Sequence, residues 1–255
     1  MGDWELRELA RTFERTRDPE DELRWLTARA RCGDLDWDAY GRLHPLDLEQ
    51  AAAYLRALLE GGALSSARLE LAAAAGHGAA LRVLGLSCPQ DLLSDDHSSW
   101  EESDPLRPVL VALYRRDDPR ASLAAALAAV SCAWDPAVCP PALSPLAERC
   151  LSAALRAWAQ PETLDGETTT ELAHSLSRAT DELIRKRREE EEFPLTEPRS
   201  IHRDLGGVRA VLAVLRTALG GGAFCASEAL YEARDRRLPR ALTRACLFGP
   251  ELPPS

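Results

Sequence analysis

Residues 60–86, EGGALSSARLELAAAAGHGAALRVLGL, read as a glycine turn, a helix, a glycine-centred break and a second helix, which leaves room for two short helices. After the Gly61-Gly62 turn, Ser65 or Ser66 can accept backbone N–H bonds as an N-cap. Leu69, Ala72, Ala73 and Gly76 follow at helical spacing. Gly76 and Gly78 bracket His77, so the backbone can reverse there without a Cβ penalty, and a second helix begins near His77. Ala79 and Ala80 let the two helix axes approach closely, while Leu81, Val83, Leu84 and Leu86 supply apolar filling. His77 is therefore read as a capping or packing residue of a helical hairpin. The whole stretch is a packing unit, with no catalytic pattern of its own.

The same grammar recurs along the chain. GDLDWDAYGRL at 33–43 repeats the Gly-x-Leu opening of Gly62 and Leu64, and GAFCASEAL at 222–230 repeats its Gly-Ala-apolar form. Asp18-Pro19, Asp104-Pro105 and Asp118-Pro119 are helix starts with aspartate as N-cap and proline in the first turn, and Ser144-Pro145 is a variant. A first helix runs from Asp3 to about Thr16, with Trp4, Leu6, Leu9 and Phe13 toward its packed side. Residues 47–60 are amphipathic, with Leu48, Ala51, Ala52, Leu55, Leu58 and Leu59 on one side. Residues 118–134 are apolar nearly all round, as in a helix at the centre of a fold. Long helices are expected at 168–192 and 204–219, the latter stopped by GGG. Ala and Leu dominate the composition, whereas isoleucine occurs only at Ile184 and Ile201, so a large sheet lacks raw material.

These features predict an all-α chain, either an irregular helical repeat of α-solenoid type or a multi-helix bundle of short helical hairpins. The expected organisation is a set of N-terminal hairpins at 1–86, an acidic loop at 87–104, a C-terminal helical region at 105–248 packed on the first, and a tail at 249–255.

Charge and cysteines exclude several roles. A formal charge of −10 opposes general nucleic-acid or anionic-membrane binding, both of which need a basic footprint. The N-terminus MGDWELRELARTF is charged where a signal peptide needs an apolar run. The seven cysteines form no CxxC pair and mostly sit among apolar neighbours, which suits free thiols in a reducing cytoplasm.

The candidate chemistry is sparse. Ile201-His202-Arg203-Asp204-Leu205 looks like the catalytic loop of protein kinases, yet Arg209 stands where the metal-binding asparagine belongs and no DFG follows. Asp204 is read instead as the cap of a helix begun by Gly206, Gly207 and Val208. The stretch SCPQDLLSDDHSSWEES at 87–103 is polar, acidic and aperiodic, and reads as the longest loop. Its Asp95, Asp96, His97, Glu101, Glu102 and Asp104 offer oxygen ligands and one imidazole, but no second histidine or positioned turn that would make them converge, so no metal site and no cofactor are expected. Trp100, a large aromatic amid acids, reads either as core or as the anchor for a protein partner, with Asp95, Asp96, Glu101 and Glu102 around it.

The 60–86 hairpin and the Ala/Leu-rich helices with short turns resemble HEAT- and armadillo-type helical-repeat proteins, and helical bacterial proteins of similar composition. The resemblance is one of style and brings no functional residues with it. It implies a scaffold that presents helix faces or loops to a protein partner, hence a non-enzymatic interaction or regulatory protein (adaptor, scaffold or inhibitor) in the bacterial cytoplasm. Two alternatives stand beside it: an enzyme of a helical family using carboxylates or a Cys/His pair, and a structural subunit of a larger complex.

Overall fold

A computed structural model describes residues 3–16, 19–32, 48–93, 104–190, 199–233 and 236–250, and every regular element among them is helical. The chain is an all-α, multi-helix protein. It divides into two compact units, residues 1–112 with 246–248 and residues 113–245 with 249–255, so that one division falls inside a helix, Arg107–Arg116.

The first unit begins with α1 (Asp3–Thr16) and α2 (Pro19–Arg31), which pack on each other. Phe13 stacks on Trp25 with ring centroids 5.8 Å apart, and the Arg29 guanidinium lies over the Trp25 ring, 5.1 Å from its centroid. Trp4 is exposed, contrary to the packed position expected for it.

Next come α3 (Leu48–Glu60), α4 (Ser66–Ala74) and α5 (Gly78–Leu84), the helices of the 60–86 stretch and its approach. Ser65 is the cap of α4, its hydroxyl accepting from Arg68 N at 3.3 Å, and His77 Nδ1 caps α5 by accepting from Ala80 N at 3.3 Å. The helix ends share one device. At Gly62, Gly76 and Gly85 a positive φ lets the next N–H reach five residues back: Ala63 to Leu58 O, His77 to Ala72 O and Leu86 to Leu81 O, the pairing of a Schellman motif.

Ala52, Tyr54, Leu55, Leu58, Leu69, Ala72, Ala73 and Ala80 form this unit's sealed core. Leu48 was expected among them but is exposed, its methyl instead lying 3.1 Å from where a Cβ on Gly78 would be. The buried Arg68 has its guanidinium satisfied by carbonyls: Nε donates to Cys246 O at 2.6 Å and Nη1 to Ala63 O at 3.5 Å. Residues 87–93, expected as the start of a loop, form a 3-10 turn (Pro89–Leu93) with Leu92 buried. The Asp91 carboxylate builds it by accepting from Ser87 N at 2.6 Å and Cys88 N at 3.1 Å.

α6 (Arg107–Arg116) starts later than its Asp104-Pro105 signal, because Asp104 closes a turn by accepting from Leu106 N and Arg107 N instead of capping a helix at Pro105. In the second unit α7 (Pro119–Ala133) begins as expected, with Asp118 accepting from Ala121 N at 2.8 Å and Pro119 in the first turn. Every residue from Ala121 to Val130 is buried, so α7 is the central helix that its all-round apolarity predicts.

Ser144 opens α8 (Ser144–Ala159) as its first helical residue, not as its cap; the hydroxyl donates to Glu148 Oε1 at 3.0 Å. In α9 (Gly166–Glu190), Thr169, Leu172, Ala173, Leu176 and Thr180 make the buried stripe, and the N-terminus is held by Asp165, which accepts from Thr168 Oγ1 at 2.5 Å. The exposed Glu182–Lys186 pair, 2.9 Å apart, has the favourable acid-first order.

α10 (Arg199–Arg216) packs against α7, α8, α9 and also α11 (Gly222–Glu232). It starts five residues earlier than the sequence suggests. Asp204 therefore lies within the helix and not at its start. Gly207 makes the α7 contact close: a Cβ there would lie 2.7 Å from Ala133 O. The last helix, α12 (Leu238–Phe248), has proline in its first turn.

Candidate functional site

The residues that sequence reasoning singles out for partner binding, Asp95, Asp96, Trp100, Glu101 and Glu102, lie outside the described residues, as does GDLDWDAYGRL at 33–43. Among the described residues no group of three or more His, Cys, Asp and Glu side chains is placed to hold a metal ion. The kinase-like string Ile201–Leu205 sits inside α10, where a catalytic loop cannot form. None of the seven cysteines is in a disulfide. Burial raises the thiol pKa of Cys150 to about 11 and of Cys246 to about 12, the reverse of what a nucleophilic thiolate needs.

What the second unit does present is an aromatic face, and its construction begins at the Gly220-Gly221-Gly222 break. The sequence reads as a stop for α10, but the chain instead passes through one π-type turn (Thr217–Gly221) into α11. Gly220 takes φ +98°, and Gly222 takes φ 54° with ψ −148°, a region open in practice only to glycine. Gly221 is needed for room: a Cβ would lie 2.5 Å from Cys225 Sγ and 2.8 Å from Arg216 O.

Beyond this turn α11 packs on α7 and α10 through Ala223, Cys225, Ala226, Ala229 and Leu230. That packing leaves one narrow strip outward, Phe224, Glu228 and Tyr231, at the i, i+4 and i+7 positions that share a helix face. Phe224 is 64% exposed and Tyr231 41%. Their spacing along the axis is about 10.5 Å, seven residues at the helical rise. Tyr114, 42% exposed at the end of α6, borders the strip, its hydroxyl lying 3.2 Å from Ser227 Oγ; Ser227 in turn donates to Phe224 O at 2.7 Å. Large aromatics held on a rigid helix, with a hydroxyl network beneath, are suited to covering an apolar surface.

The second unit carries two other notable features. A shallow cleft of about 170 Å³ is lined by Trp134, Asp135, Val138, Cys139, Gly207 and neighbours. It is smaller than ordinary ligand pockets and lacks convergent polar groups. The stretch Leu205–Glu232 is long and apolar enough to cross a membrane by length and composition, but it is bent at Gly220 and 61% of its apolar window is buried.

No protein-family model, no curated protein and no solved structure matches this chain. The aromatic face escaped sequence reasoning for a definable reason. GAFCASEALYE is apolar on nearly every side, so periodicity does not mark which residues stay outside; the one available signal was a pair of aromatics seven residues apart.

Proposed function

We propose that this is a non-enzymatic protein–protein interaction or regulatory protein of the cytoplasm, and that the Phe224–Tyr231 face of α11 is where it meets a protein partner. The exposure of these two rings on a helix otherwise sealed into the second unit is the observation that carries the reading. Aromatic residues are the side chains most often found at interface hot spots, and a rigid helix presents them at little entropic cost on binding. Four of the seven thiols are buried and free, which accords with a reducing compartment.

The test places a photo-crosslinking amino acid at position 224 in cells, with an exposed position of the first unit, Arg56, as control. A defined heterologous protein adduct at 224, absent at 56 and lost in Tyr231→Ser, supports the reading. Adducts of equal yield and composition at both positions would refute it. A third probe at Trp100 reports whether the acidic stretch contributes to the same adduct.

A further inference from the structure

We draw no further inference here: the strongest candidate, the exposed aromatic face of α11 bordered by Tyr114, is the surface on which the proposed function already rests, and nothing in the structure shows which particular partner covers it.

Discussion

The glycine breaks after α4 and after α10 each turn the chain from one helix into the next, through Gly76 in one case and Gly220 to Gly222 in the other. At Gly76 the surroundings are open: a Cβ would meet nothing within 4 Å, and the requirement is a positive φ of 88° alone. The turn is completed by the Schellman hydrogen bonds and by His77, whose imidazole caps the helix after it. At Gly220 to Gly222 the surroundings are crowded. No side chain caps α11, one glycine is excluded from any substitution by the neighbouring Cys225 and the Arg216 carbonyl, and another holds a backbone conformation other residues avoid. The first break is specified by local hydrogen-bond chemistry and the second by steric fit, and only the second aims an aromatic face outward.

That contrast predicts unequal costs for the same substitution. Gly221→Ala should lose about 2–3 kcal/mol through overpacking against a carbonyl that cannot move freely. Gly76→Ala should lose about 1–2 kcal/mol, the strain of placing an L-residue at a left-handed φ. Denaturant unfolding measures both, and equal losses would erase the distinction. The double variant Gly221→Ala/Cys225→Ala sharpens it, because it removes the 2.5 Å sulfur clash while leaving the 2.8 Å approach to Arg216 O. Partial recovery of stability is expected, and no recovery would show that the carbonyl contact dominates.

The caps supply the next largest effect. Ser65→Ala should cost about 1 kcal/mol, the usual value for a lost N-cap hydroxyl. His77→Ala should cost a similar amount, since its imidazole bond to Ala80 N matches the Ser65 bond in length, 3.3 Å, and in partial burial. No comparable cap exists to remove at α11, so replacing the exposed residue before the break, Arg216→Ala, should leave that junction's stability nearly unchanged. A loss there equal to that of Ser65→Ala would mean that the second break also depends on side-chain hydrogen bonds.

A smaller, pH-dependent effect belongs to the turn that follows α5. The Ser87 and Cys88 backbone N–H groups, and then the Cys88 thiol, hold the Asp91 carboxyl below its ordinary value of 3.8. A carboxylate so depressed contributes stability that is fully present above 3.8 and is lost as pH falls through the lower folded value. Amide exchange at Ser87 and Cys88 should therefore accelerate in strong acid, and in Asp91→Asn this acid-dependent step should vanish. Persistence of the step in the variant would assign it to another group.

These differences also explain what the sequence disclosed. Ser65, Gly76, Asp118 and Pro119 act on residues within a few positions of themselves, so the helical hairpin and the start of α7 are legible in the text. The all-round apolarity of 118–134 likewise announces a buried helix. Asp204 was misplaced because the helix that holds it begins earlier, at Arg199, and Leu48 and Trp4 are exposed although their spacing puts them on packed faces. The face of α11 was illegible for a different reason. Which side of GAFCASEALYE stays outside depends on α7 and α10, which are remote in sequence.

The most direct test of the central claim needs no partner in hand. If the Phe224 and Tyr231 rings are a presented surface and not part of the core, the double variant Phe224→Ser/Tyr231→Ser should unfold within about 0.5 kcal/mol per substitution of the parent protein, as ordinary surface replacements do. Its far-UV circular dichroism should also be unchanged. A loss of about 3 kcal/mol or more, the cost of removing a buried aromatic, would contradict the account and return both rings to the packing of the second unit.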